Sequence, residues 1–370
     1  MTYTGYFHAG REPGSDQPHD AQNRRHAGDR RYGGHSPHER HAQERTVYDK
    51  STQVYAALDL GTNNCRLMVA KEERGRLKVI DSYSEIVRLG EGLSHSGTLS
   101  PEAMERTLSA LKHCAEKLGG YTVVDSHFVA TEACRRAGNG ADFIRRVKEE
   151  TGLHLNIIGH KDEAVLAFMG CSPLLDSATD YCLMLDIGGG STEMMLVDMR
   201  DVLAPRVVGW ESFPVGVMSA AEQYDARRIE APRYRELLEE LRGPFQGFTQ
   251  KHSFQELMQQ GHVQMICCSG TVTTLGAIYK QLPRYDRRQV DGMRMDMPEL
   301  QRVIHDLLQL PFHELQANPC IGHERADFLM AGCSILQAAC EATAMHAITI
   351  ADRGVREGIL LSLFQKNFHG

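Results

Sequence analysis

YAALDL (55–60), GTNN (61–64) and CRLMVA (65–70) read as a strand, a tight turn and a returning strand. The pattern recurs in CLMLDI (182–187), GGGST (188–192) and EMMLV (193–197). Asp59 matches Asp186, Leu60 matches Ile187 and Gly61 matches Gly188, and the apolar runs 67–69 and 194–196 coincide. The interval is about one domain, far too long for a solenoid. An acid at a strand end, a glycine turn and a second apolar strand, used twice, point to a duplicated α/β unit with two turns facing across a cleft. Hairpins sharing Asp-aliphatic-Gly also arise by chance, so spacing alone leaves a coincidence open.

Outward from the first hairpin, the pattern predicts a strand at 77–84 and a helix from Pro101 to Leu118 with Met104, Leu108, Leu111 and Ala115 on one face. A strand at 122–130, a helix at 141–151 and a strand at 154–158 follow. The second half continues with a strand at 202–212, helices at 216–224 and 230–247, a strand at 265–268 and a helix to 281. Helices at 298–308 and 323–345, a strand at 347–351 and a final helix complete it. This is an α/β arrangement with mixed strand directions. Domain I is expected at 54–172 and domain II at 173–354, with the helix at 355–370 packing back on domain I. Residues 1–53 hold six of the 18 histidines (His8, His19, His26, His35, His38 and His41) and almost no aliphatic residues. Such a segment cannot bury enough to offset its ordering entropy and reads as a disordered tail. Weak metal binding by a His-rich tract is the alternative.

The 370 residues are 42% hydrophobic and 24% charged, which suits a folded chain of about two domains. The net charge of −7 argues against sequence-blind nucleic-acid binding but leaves room for a local basic pocket. Ten cysteines without a CxxC pair, and no secretory h-region, read as reduced thiols in the cytoplasm. No uncharged apolar run of 18 residues suggests a membrane span.

The chemistry concentrates at the turns. Glycine lets backbone approach a ligand, and consecutive N–H groups form an anion site. GTNN and GGGST both offer this, with side-chain donors from Asn63, Asn64, Ser191 and Thr192. A plain hairpin turn favours the same residues. CSGT (268–271) adds backbone donors at a helix N-terminus. Carboxylates beside a phosphate site, here Asp59 and Asp186 with Glu193 on the returning strand, call for a cation such as Mg²⁺; as turn caps they would need none. Arg135, or its neighbour Arg136, could grip phosphate bidentately. Glu163 reads either as a first-turn acid favoured by the helix dipole or as a base that activates water. There is no GxxxxGK[ST], HExxH or GxSxG. Cys267 and Cys268 read as inert thiols of a buried strand.

ALDLGTNNCRL (57–67), ATEACRRAGN (130–139), DEAVLA (162–167), DIGGGSTE (186–193), SFPVGV (212–217), CSGTVTTL (268–275), GHERADFLMAG (322–332) and DRGVREGIL (352–360) form an ordered set. In that order they resemble the motifs of the exopolyphosphatase/guanosine pentaphosphate phosphohydrolase (Ppx/GppA) family. The likeness covers about 54–370. It implies an α/β fold of the actin-like ATPase (ASKHA) superfamily, with two ribonuclease-H-like domains flanking a cleft. It implies Glu163 as catalytic base and Arg135 as the arginine that grips phosphate. Phosphates would lie on Gly61, Thr62, Asn63 and Asn64, on Gly188, Gly189, Gly190 and Ser191, and on Ser269, Gly270 and Thr271. Mg²⁺ would sit at Asp186, Glu193 and Asp59. The implied activity is Mg²⁺-dependent release of the terminal phosphate of inorganic polyphosphate. The alternatives are a guanosine pentaphosphate (pppGpp) 5′-phosphohydrolase of the stringent response, or an actin-like nucleotide-binding module. No nucleic-acid or membrane partner is expected, and the oligomeric state, a homodimer included, is left open. Three positions depart from the family pattern. Asn64 stands where many members have Ser, His160 where Gly is usual, and Asp162 for the first Glu. The absence of an HD-like region after the final helix implies a short form.

Overall fold

In the computed structural model of the chain, residues 53–201, 204–223 and 231–368 are described. The expected tail, Gln53 apart, lies outside the described residues. The first half runs β1 (Val54–Leu60), β2 (Asn64–Glu73), β3 (Arg76–Ile86), α1 (Leu93–Ser96), α2 (Pro101–Gly119), β4 (Val123–Ala130), α3 (Glu132–Arg136), α4 (Gly140–Thr151), β5 (Leu155–Ile157) and α5 (His160–Cys171). The second begins with β6 (Tyr181–Ile187), β7 (Thr192–Asp198), β8 (Arg206–Phe213), α6 (Val217–Gln223), α7 (Ala231–Lys251), α8 (Phe254–Gln260), β9 (Val263–Cys268) and α9 (Gly270–Tyr279). It ends with α10 (Arg287–Val290), β10 (Arg294–Asp296), α11 (Met297–Gln309), α12 (Phe312–Ala317), α13 (His323–Thr343), β11 (Ala347–Ala351) and α14 (Val355–Phe368).

The two sheets share one plan. The first has the order β3-β2-β1-β4-β5, and the second, from its opposite edge, β8-β7-β6-β9-β11-β10. In each, an antiparallel hairpin leads, and a parallel strand pairs with its first member, β4 with β1 and β9 with β6. The extra strand β10 is only three residues long, with Met295 alone buried, too short for a period-two signal.

Strand alternation explains the layers. Ala56, Leu58 and Leu60 of β1 face a core shared with Leu108 and Leu111 of α2, and α2 is capped by Ser100, whose hydroxyl accepts from the Ala103 N–H at 3.2 Å. Tyr55 and Ala57 point to the other face, into a core completed by Ala167 and Phe168 of α5 and Ile359, Leu360 and Leu363 of α14. Cys182 and Met184 of β6 enter that same core, while Leu183, Leu185 and Ile187 face the large core of the second half. Burying each large apolar side chain of this kind contributes about 1.5–3 kcal/mol. Helices α5 and α14 therefore lie between the two sheets. Their close approach requires glycine, since a Cβ on Gly358 would sit 1.8 Å from the Leu166 carbonyl oxygen. At the mouth of the cleft, the segment after β3 crosses to the second half. Arg88 pairs with Asp327 at 3.4 Å, and the Gly92 N–H donates to Glu222 at 3.0 Å. Among the described residues, no helix is long and apolar enough to cross a membrane.

Candidate active site

The two glycine turns close identically and touch. The Gly61 N–H donates to the Asn64 carbonyl and the Gly188 N–H to the Ser191 carbonyl, both at 2.9 Å. A Cβ on Gly189 would lie 2.9 Å from Thr62 Cβ, so only glycine lets the second turn sit against the first. In each turn two carbonyls are tied back. Those of Thr62 and Asn63 accept from the Gly90 and Val87 amides, and those of Gly188 and Gly189 from the Val217 and Met218 amides. Among the described residues the amides of Thr62, Asn63, Gly189 and Gly190 donate to no backbone acceptor. The turns thus face a cleft of about 210 Å³ with donors uncommitted. The third turn joins its wall through Ser269, Gly270 and Thr271. Ser269 also caps α9, accepting from the Val272 N–H at 3.0 Å.

Carboxylates stand on the same wall. Asp186 lies directly across the sheet from Glu193, and Asp59 directly across from Arg66. Burial, then Glu193 and Asp59, push the Asp186 carboxyl up to about 8. Burial also raises Asp59, against the nearby Arg66 and Arg356 charges. Glu193 is 3% exposed, and its Oε1 accepts from Ser191 at 2.7 Å and Ser212 at 2.8 Å. The Ser191 hydroxyl, expected to reach phosphate, is therefore turned back onto Glu193; what the turn offers a ligand is backbone.

Glu163 enters from α5, in the first turn of the helix, and lines the cleft. Burial, then the Glu193 charge, hold its carboxyl well above the usual range, against the pull of Arg135. Arg135, brought in by α3, meets Glu163 Oε2 at 3.1 Å and Glu132 Oε2 at 2.8 Å. It also donates to the Ile158 carbonyl at 2.6 Å and to His160 Nδ1 at 2.8 Å. Its neighbour Arg136 is exposed. The guanidinium expected to grip phosphate is thus engaged by protein groups on all sides, and gripping a ligand would break at least one of these bonds.

A profile of the Ppx/GppA phosphatase family matches residues 68–367. The chain belongs to that family. It is 29% identical over 323 residues to a Haemophilus influenzae protein named "Putative exopolyphosphatase", covering 85% of this chain and 92% of that one. The crystal structure of the Aquifex aeolicus Ppx/GppA family member superposes with a TM-score of 0.71 at 25% identity, covering 86% of this chain and all of that one (100%). A Cytophaga hutchinsonii exopolyphosphatase structure shares the fold, with a TM-score of 0.72 at 22% identity over 85% of this chain and 98% of that one. The fold is the actin-like ATPase fold, and the chain is a Ppx/GppA-family phosphatase.

Three arginines of this Ppx/GppA cleft lie inside the quoted motifs but have no role assigned from the sequence. Arg66 from β2, Arg325 from α13 and Arg356 from α14 line it and form no salt bridge with a described residue. Burial, with the Arg66 charge adding to it, lowers both Arg325 and Arg356. Three mutually repelling cations beside free amides make an anion site. Glu132 was missed as well; its only signal was its place after the β4 end. Cys267 is fully buried, but Cys268 corrects the expectation of two core thiols. It lies at the strand end opposite Asp186, faces the cleft, and donates to the Arg353 carbonyl at 2.6 Å.

The donor set suits a hard divalent cation. Asp186 and Asp59 line the cleft, Glu193 stands beside Asp186 with its Oε1 accepting from two serines, and burial together with these carboxylates raises Asp186 against the pull of Arg66. Asn63 Oδ1, also on the wall, is buried without a hydrogen-bond donor. His160, Glu163 and Glu193 also bring ligand atoms within 4.8 Å of one another, but the Arg135 guanidinium already bonds to two of the three.

Proposed function

We propose that this phosphatase is a Mg²⁺-dependent exopolyphosphatase, removing the terminal phosphate of inorganic polyphosphate. The observation that carries the reading is the cleft's anion-binding surface: Arg66, Arg325 and Arg356, without salt-bridge partners among the described residues, opposite two turns with free amides. A chain of phosphates carries negative oxygens along its whole length and suits such a row of donors. Phe328, an aromatic residue of the wall, has the Arg88 guanidinium over its ring at 5.5 Å, which takes that face from a guanine base and favours polyphosphate over pppGpp.

In this reading the turn amides and arginines hold the chain end with its terminal phosphorus toward Glu163. Glu163 accepts a proton from water as the water oxygen attacks phosphorus, and the bond to the bridging oxygen breaks. Orthophosphate and a chain shorter by one phosphate leave. Arg135 keeps the Glu163 carboxylate oriented and favours its charged form. Asp186 and Glu193 would hold Mg²⁺, which supplies charge neutralisation on phosphate oxygens. Glu163→Gln should lower kcat by about 10²–10⁴-fold. Phosphate release from defined polyphosphates, with pppGpp in parallel, measures it. Wild-type release by the variant would end the assignment of Glu163, and a higher kcat/KM on pppGpp would overturn the choice of substrate.

A further inference from the structure

We infer that His160 is a positioning residue, clasping the arginine that steers Glu163. The inference rests on Glu163 as the base. His160 opens α5 and lies three residues before Glu163, on the same helix face. Arginine only donates hydrogen bonds, so the 2.8 Å approach of Arg135 Nη2 to His160 Nδ1 requires a lone pair on Nδ1. The ring proton then sits on Nε2, which lies 3.6 Å from Glu132 Oε2. On the far side, Ser212 Oγ of β8 lies 3.0 Å from the same Nδ1, but its one proton goes to Glu193 Oε1 at 2.8 Å and the Nδ1 lone pair goes to Arg135, so that approach is a packing contact.

The side chain is 35% exposed and belongs to no apolar core, so packing gives it no other role. Without it, Arg135 keeps Glu132, the Ile158 carbonyl and Glu163, but its Nη2 loses the acceptor at Nδ1. The guanidinium, and with it the Glu163 carboxylate, would then be less narrowly fixed. Misplacement of a catalytic group lowers turnover more than binding.

The test compares kcat and KM on one defined short polyphosphate for His160→Ala, His160→Asn, His160→Gln and Ser212→Ala, with Glu163→Gln as reference. His160→Ala should lower kcat about tenfold, the factor for one lost hydrogen bond to a charged group, with KM changed less. Asn places an amide oxygen where Nδ1 stood and should restore most of the rate. Gln reaches the Nε2 position instead and should not. Ser212→Ala breaks a bond to Glu193 and none to His160, so its effect should multiply with that of His160→Ala. If Ala disturbs folding, as a melting curve would reveal, the contrast of Asn with Gln decides. Wild-type kcat in His160→Ala, or Asn no better than Gln, overturns the clasp while Glu163→Gln stays inactive. An active Glu163→Gln instead overturns the base on which it rests.

Discussion

The two hairpins have the same backbone and opposite charge. In both, a glycine N–H closes the turn at 2.9 Å, and in both an aspartate sits directly across from the residue seven positions on. In the first hairpin that residue is Arg66, and in the second it is Glu193. The consequence shows in the aspartates. Asp59 has a cation drawing its carboxyl back toward ionisation, whereas Asp186 has a second carboxylate that helps drive it to about 8. A duplicated unit supplies two equivalent sockets. In the proposed reading that single difference in charge adds a cation site to the second socket, while both turns keep amides for phosphate. The helices that follow the parallel strands carry the repeat further. Glu163 stands six residues past the end of β5, and Glu357 six past the end of β11, each facing an arginine, Arg135 or Arg287.

Erasing the acidic member of the second hairpin should have the largest effect. Glu193→Gln should lower kcat in Mg²⁺ by about 10²–10³-fold, the usual cost of removing one electrostatic stabiliser from a site of this kind. A Mg²⁺ titration of phosphate release measures it. An unchanged Mg²⁺ dependence would mean that the charge difference between the hairpins assigns no cation. The matching change in the first hairpin should act on binding. Arg66→Met keeps an unbranched stem and removes the charge, so KM for polyphosphate should rise about 10–100-fold, with a smaller change in kcat. Steady-state kinetics at fixed ionic strength separates the two, and an unaltered KM would show that the first socket does not hold phosphate.

The hairpins were legible because each combines an apolar strand, an aspartate and a glycine turn within a dozen residues, and because the combination occurs twice. The central strands were legible for the same local reason. The anion wall was not. Arg66, Arg325 and Arg356 come from three elements far apart in the chain, and they meet only because α13 and α14 begin at the cleft. Arg325 stands inside the GHERADFLMAG motif, but nothing in that stretch says that its side chain meets Arg66 and Arg356. Arg135 shows the reverse limit. Its motif marked it as functional, but its partners Glu132, Glu163 and His160 could be known only from packing. Short elements such as α8, α12 and β10 were missed because a few residues cannot show a period. Cys268 was misread because a strand's last residue no longer lies between layers.

The smallest expected effect tests the burial and crowding of Asp186 together, without turnover. Asp186 titrates at 3.8 as a free side chain and near 8 in the folded protein. The folded state therefore binds more protons than the unfolded state between those values, and stability contributed by this group falls as pH rises through that window. It is fully present below about pH 4 and lost by about pH 8. Asp186→Asn cannot ionise, so its metal-free Tm should exceed the wild-type Tm at neutral pH and the gap should close on acidification. The difference is expected at about 2–4 °C per kcal/mol of repulsion removed. Mg²⁺ should raise the wild-type Tm by mass action and leave the variant nearly unmoved. A chelated wild type that melts with the variant across the whole range would show that Glu193 and Asp59 do not crowd Asp186, and the two hairpins would then differ in sequence but not in electrostatics.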